Sequence, residues 1–570
     1  MARSVRTSIG GLSMLNRRSF LTRTASLTLA TSFQATRAAD RPLDIALVNA
    51  TVWTGRPSGG RETAVGITGD RITAVGAELV RARTAKTTRV IDLHGAFVMP
   101  AFVDNHTHFL RGAVMLTQPN LLDSKDRADF AARLGAAARS RPGKWILGGS
   151  WDEQRLGGEL PTRQWIDGAT ADTPVAIPRT DLHSFLLNSA ALRLAGITRN
   201  TPDPAGGVIV RDAKGEPTGV LKDNAKDIVQ RVIPNPTATD TDEAMRKGIA
   251  HGLSKGVAQV HNPEPFDWNT YVALRRLRTQ GETGLRFYTM TPIQDWEKMA
   301  DIVAKEGRGD DWVRWGAVKG LSDGSLGSRT AVFHDDYADA AGQRGVRVNT
   351  LENLRTWVTG ADQHGLQVAI HAIGDQANDD VLDLFAEIAA KNGPRDRRFR
   401  IEHAQHLTAA AIPRFAKQKV IASVQPYHAI DDGRWAVQRI GSNRLKGTYA
   451  FRSLIDSGAV VTFGSDWPVA PLDPLTGLYG AITRRTIDGA NPNGWLPDQK
   501  VSAEKALICY TRNNAFAGFT EDRTGQIAAG FLADITVLDA DLLSVDPEKI
   551  PTVKVLRTFV GGKQRFGEGA

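Results

Sequence analysis

Phe97-Val98-Met99-Pro100-Ala101-Phe102-Val103-Asp104-Asn105-His106-Thr107-His108 is an apolar run that ends in polar, metal-competent side chains. A parallel strand buried on both faces reads this way, because its interior stays apolar and only its end meets the polar mouth of the sheet. Alternate residues of extended backbone share a face, so His106 and His108 point the same way, with Asp104 behind them. Two imidazoles at that spacing can chelate one metal ion. Taken alone, the pair fits a structural or surface role equally well.

The same pattern recurs downstream. Val257–His261, Leu285–Met290, Trp315–Asp323, Gln367–His371, Arg400–His403, Val420–Gln425 and Val460–Asp466 are short apolar segments with polar ends, separated by helical stretches. With the first segment they make eight βα units, the number that closes a TIM barrel, whose catalytic groups stand at the C-terminal strand ends. The predicted class is therefore an α/β fold with a (β/α)8 barrel over 101–519. Residues of about 140–240 do not fit the count. Their strand-like pieces (Trp145–Gly148, Pro174–Ile177, Gly207–Arg211) read as an insertion that shapes the substrate pocket. Both ends are β-rich and turn-punctuated: Ile45–Val48, Ala64–Ile67 and Arg71–Val75 at one, Asp534–Leu538 and a hairpin over Val553–Phe566 at the other. They predict one small β-sandwich built from 43–100 and 520–570.

Composition narrows the function classes. The net charge of +9 includes six arginines in residues 1–38, where there is no acid; the remaining +3 is spread over more than 500 residues, which is no polyanion-binding signature. Cys509 is the only cysteine, so no intrachain disulfide can form and a metal must be held by His, Asp, Glu or a modified Lys. No run of 18 or more apolar residues predicts a stable membrane anchor. The leader carries Asn16-Arg17-Arg18-Ser19-Phe20-Leu21, a short apolar run and Ala38-Ala39-Asp40. It looks like a twin-arginine signal peptide over 1–38 cleaved after Ala38, and that resemblance implies a periplasmic or secreted enzyme exported in the folded state.

Three more strand ends carry ligand-type residues: Ala369-Ile370-His371, Arg400-Ile401-Glu402-His403 and Phe463-Gly464-Ser465-Asp466-Trp467. This order of elements resembles the amidohydrolase superfamily, whose pattern is His-x-His on strand one, Lys on strand four, His on strands five and six, and Asp on strand eight. Val318-Lys319-Gly320-Leu321-Ser322-Asp323-Gly324-Ser325-Leu326-Gly327-Ser328-Arg329-Thr330 looks like the fourth-strand signature of its YtcJ-like branch, which includes N-substituted formamide deformylases. Trp151-Asp152, Pro161-Thr162-Arg163, Asn188-Ser189-Ala190-Ala191 and Gly464-Ser465-Asp466-Trp467-Pro468 match the branch too, and the resemblance covers nearly all of the chain after the leader. One departure is Asp181-Leu182-His183-Ser184, where the branch tends to read Asp-Gly-His and a small residue.

The resemblance implies roles. His106 and His108 bind one divalent metal, His371 and His403 a second, with zinc first in order and manganese or iron as alternatives. Lys319 is carboxylated and bridges the pair; its rival reading is a salt bridge to Asp323. Asp466 is both a metal ligand and the catalytic group that takes a proton from the attacking water and delivers it to the departing amine. His183, Asp323, Arg329 and Trp151 are candidate substrate contacts, Trp435, Trp467 and Trp495 either pocket or packing, and His261, His406 and His428 structural or supporting. The predicted reaction is cleavage of a non-peptide C–N bond, of amide or N-formyl type, in a small molecule. The rivals are lactone, ester or cyclic-imide hydrolysis on the same scaffold, and a noncatalytic exported binding protein. A small-molecule substrate is the expected partner, nucleic acid is not, and a homodimer is compatible with this reading.

Overall fold

The computed structural model describes residues 41–570 apart from 122, 180–183 and 206. The leader and His183 lie outside the described residues. Eight parallel strands form one sheet: β1 (Phe102–Asp104), β2 (Val257–Pro263), β3 (Arg286–Pro292), β4 (Val313–Leu321), β5 (Gln367–Ala372), β6 (Arg400–His403), β7 (Ile421–Val424) and β8 (Val461–Phe463), each hydrogen-bonded to the next. The chain is thus an α/β protein with a TIM barrel. Beyond the ladder, β8 meets β1 again: Asn105 N–H donates to Phe463 O (3.2 Å), Asp466 N–H to His106 O and His108 N–H to Trp467 O (both 2.7 Å). This seam leaves no room for a side chain at Gly464, where a Cβ would lie 2.5 Å from His106 N and 2.9 Å from Asp104 Oδ1.

The helices owe their places to apolar spacing and caps. Ala238–Ser254 starts on a capping box between Thr237 and Asp240 and buries Met245, Ile249 and Leu253 on one face. Asp375–Asn392 follows β5 and buries Val381, Leu382, Phe385 and Ile388. Among the described residues no helix is long and apolar enough to cross a membrane.

Both chain ends meet in two sheets. One runs Arg71–Val75, Val65–Thr68, Ile45–Val48, Arg89–Asp92; the other Lys563–Gly567, Val555–Val560, Ile535–Leu538, Phe97–Pro100, Thr51–Trp53, Arg61–Glu62. Leu47, Val52, Ile67, Ile72, Val98, Ile535, Val537 and Phe559 fill the space between them. Phe97–Pro100 therefore is not the start of a barrel strand: it pairs with Ile535–Leu538, and the barrel begins at Phe102. Proline lacks an N–H, so a ladder loses a donor at Pro100, and the chain changes sheets there.

Between β1 and β2 lies a sheet ordered Gly207–Arg211, Pro217–Asp223, Ser184–Leu187, Ala176–Pro178, antiparallel throughout. It has its own core of Phe130, Leu134, Trp165, Ile177 and Leu186.

Candidate metal centre

The polar strand ends converge on one side of the barrel, at a cavity of about 470 Å3 lined by His108, Lys319, His371, His403, His428 and Asp466. His106 is fully buried just beneath. Its Nε2 lies 3.6 Å from Asp466 Oδ1, and His108 Nε2 lies 3.4 Å from the same oxygen. Two ligands of a tetrahedral ion with bonds of about 2.1 Å stand about 3.4 Å apart, so these three atoms are spaced for one cation. The rings of His106 and His403 are 4.9 Å apart between centroids, and those of His371 and His403 4.5 Å.

Each imidazole is aimed by a partner behind it. Glu402 accepts from His106 Nδ1–H at 2.6 Å, Gln425 Oε1 from His403 Nδ1–H at 2.7 Å, and Gly324 O from His371 Nε2–H at 3.0 Å. Those bonds fix tautomers that leave His106 Nε2, His403 Nε2 and His371 Nδ1 with free lone pairs, as metal-binding imidazoles require. Burial, reinforced by the nearby Lys319, holds His106 well below its ordinary value and His371 at about 3, and burial with the neighbouring His371 does the same for His403, so all three are neutral at physiological pH.

Glu402 is itself held in place. Arg400 Nε donates to its Oε1 at 2.7 Å and Ser423 Oγ to its Oε2 at 2.6 Å, with all three side chains buried. Arg400 also donates to the Asn105 carbonyl at 2.9 Å and faces His261 Nδ1 at 3.1 Å, which places a charged network through the barrel interior.

Lys319 is 1% exposed and makes no hydrogen bond or ion pair with any described residue, Asp323 included. Burial pushes its ammonium down to about 8. Asp323 has other partners: its carboxylate accepts from the backbone N–H of Val332 (2.8 Å), Ile373 (3.0 Å) and Gly374 (2.9 Å). Burial nonetheless pushes it up to about 7. It lines the cavity while tying the β4 loop to the end of β5.

Two expected substrate contacts are elsewhere. Trp151 is buried in the insertion's own core, its Nε1–H donating to Ile177 O at 3.1 Å, so packing claims the indole. Arg329 points its guanidinium at Asp339, with paired contacts of 3.0 and 2.8 Å, and does not line the cavity. Of the other tryptophans Trp435 lines the cavity, while Trp467 and Trp495 are buried packing residues.

Two of the side chains that line the cavity stand on left-handed backbone. His403 has φ 78° and Asp466 φ 64°, left-handed values that are uncommon outside glycine. Such strain persists where the surroundings dictate it, and here it turns both side chains toward the same point.

The donor set fits a divalent cation. His106 Nε2, His428 Nε2 and Asp466 Oδ1 are buried with no hydrogen-bond partner among the described residues, and unpaired buried polar atoms are costly unless something else binds them. Neutral imidazoles with a carboxylate suit zinc, manganese or iron. Sequence reasoning missed Glu264, whose Oε2 is 3.5 Å from His108 Nδ1, as well as Glu402, Gln425 and the approach of His428.

Residues 89–566 match the model of a family described as the amidohydrolase family. The YtcJ protein of Bacillus subtilis is 33% identical over 84% of this chain and 90% of its own length. An N-substituted formamide deformylase of Arthrobacter pascens is 29% identical over 92% of this chain and 98% of its own. Among solved structures, a metal-dependent hydrolase from Pyrococcus furiosus superposes with a TM-score of 0.73 at 29% identity, covering 88% of this chain and 100% of that one.

Proposed function

The chain belongs to the amidohydrolase family and is a metal-dependent hydrolase; on that premise we propose that it cleaves a non-peptide C–N bond, of amide or N-formyl type, in a small molecule. The observation that carries this reading is the convergence of His106, His108, His371, His403, Lys319 and Asp466 on one cavity. His106, His108 and Asp466 would hold one divalent cation, with His371 and His403 beside them. When bound, the cation supplies Lewis acidity and an acidified water.

The remaining steps belong to the chain. Asp466 takes a proton from the attacking water and returns it to the departing nitrogen, so that amide and water give acid and amine. Glu402 and Gln425 keep His106 and His403 oriented throughout. Phe266, Leu326, Trp435 and Val469 offer apolar surface for the body of the substrate, and a cavity of about 470 Å3 suits a small molecule. The formamide deformylase among the relatives supports the choice of bond.

We also propose that Lys319 is carboxylated: its neutral amine adds to carbon dioxide and releases one proton, which replaces a buried cation by an anion able to face metal ions. The ammonium's depressed value, its burial and its lack of a paired acid support this. The leader supports export by the twin-arginine route.

The test has two arms. Against matched amides, N-formyl amines, cyclic imides, lactones and esters, the metal-loaded enzyme should turn over the amide-type substrates, and removal of metal by a chelator should abolish that turnover. Hydrolysis confined to esters or lactones would overturn the bond assignment. In the second arm, enzyme equilibrated with 13C-bicarbonate should show a carbamate resonance that Lys319→Ala lacks. An identical spectrum for the two proteins would remove the modification and leave the bond assignment standing.

A further inference from the structure

The charged side chains that line the cavity differ in what holds them. Asp323 is bound by three backbone N–H groups, and Asp466 belongs to the cation site. Asp431 is paired with Arg434. Asp432 accepts from the Tyr449 hydroxyl at 2.5 Å and from Gln405 Nε2 at 3.2 Å. Each acid at this mouth is thus engaged by the chain itself or by the cation it would hold. Of the two basic side chains among the lining residues, Lys319 is buried and Arg111 is exposed.

Arg111 has no acid. Its guanidinium makes no hydrogen bond or ion pair with any described residue and sits over the face of Phe266, 5.8 Å from the ring centroid. The backbone puts it there. His108 is the N-cap of Phe109–Met115, the helix after β1, and Arg111 follows one turn later on the same side. The metal-ligand imidazole and the guanidinium therefore line one cavity. Phe266, in the loop after β2, is 59% exposed, and Val469, in the loop after β8, is 69% exposed. Both line the same cavity, and bulky apolar groups open to water at a pocket mouth mark a surface that a ligand covers.

We propose that Arg111 selects substrates that carry a carboxylate beside an apolar body lying on Phe266 and Val469. The inference rests on the hydrolase reading and narrows it: among amide-type molecules that fit the cavity, the enzyme prefers anions. A guanidinium offers paired donors that match a carboxylate, and the ring beneath it fixes its plane. Asp431 and Asp432 offer a cationic substrate little, because their carboxylates already have partners.

The test uses pairs of N-formyl amines that differ in charge and little else. One pair is para-(formamidomethyl)benzoate and N-(para-nitrobenzyl)formamide; the other is N-formylphenylalanine and its carboxamide. The metal-loaded enzyme should favour the anionic member of at least one pair by about tenfold or more in kcat/KM, mostly through KM, and added salt should narrow the gap. Arg111→Gln should bring that ratio to near one, Arg111→Glu should invert it, and Arg111→Lys should keep part of it. A ratio taken within one protein cancels any general loss of activity, so a poorly folding variant still reports. Equal turnover of both members of each pair by the unaltered enzyme would overturn the inference and leave the bond assignment standing. A ratio that Arg111→Glu does not move would do the same. If no amide-type compound is hydrolysed, the bond assignment falls instead, and the same comparison on carboxylate and neutral forms of the ester or lactone that is hydrolysed decides for Arg111.

Discussion

Asp466→Asn should lower kcat by at least about 10^3-fold while leaving the fold unchanged. The carboxamide keeps the size and planarity of the side chain but can neither accept the proton of the attacking water nor contribute negative charge to the cation site. Asparagine is the right probe because Asp466 has a left-handed backbone (φ 64°), a conformation that Asn tolerates better than Ala does. Little structural hydrogen bonding is at stake, since Asp466 Oδ1 is unpartnered among the described residues. Steady-state kinetics with metal content and melting temperature measured on the same samples would check it. A variant that retains a tenth of the original kcat would take Asp466 out of the chemistry.

The fold was legible because parallel barrel strands advertise themselves. Gln367–Ala372 and Arg400–His403 are buried almost throughout, so each reads as an apolar run with a polar end. Where one sheet handed over to the other, at Pro100, the apolar run continued across the junction and hid it. The site was legible only where a ligand type fell at a strand end.

The missing residues have physical explanations. Strand alternation puts adjacent residues on opposite faces, so Glu402 and His403 should diverge. The left-handed turn at His403 (φ 78°) lets the carboxylate support His106 while the neighbouring imidazole faces the cavity, and no sequence period reports that turn. His428 comes from a loop helix whose position depends on tertiary packing. Trp151 and Arg329 failed in the other direction. An aromatic side chain in an insertion looks the same whether it lines a pocket or fills a local core, and the ten-residue separation of Arg329 from Asp339 gives no sign that they pair.

The buried Arg400–Glu402–His106 chain leads to the largest expected effect on stability. Burial by itself would raise the Glu402 carboxyl, but the adjoining Arg400 guanidinium and the hydrogen bonds from Arg400 and Ser423 work against it, and the group lies below its ordinary value. Its contribution is therefore complete at neutral pH and is lost as acid protonates it through and below the usual carboxylate range. Glu402→Ala should destabilise the protein by about 3–5 kcal/mol, because it leaves the fully buried Arg400 guanidinium without its anion. It also frees His106 Nδ1, and loss of such an orienting partner weakens metal affinity by about 10–100-fold. These effects can be separated. In Arg400→Met/Glu402→Leu no buried charge of this pair is stranded, so the double variant should be more stable than Glu402→Ala yet bind metal as poorly. Chemical denaturation and cobalt titration of the three proteins would decide it. If Glu402→Ala melted with the unaltered protein and held metal equally well, the network would be neither a brace for the barrel nor a mount for His106.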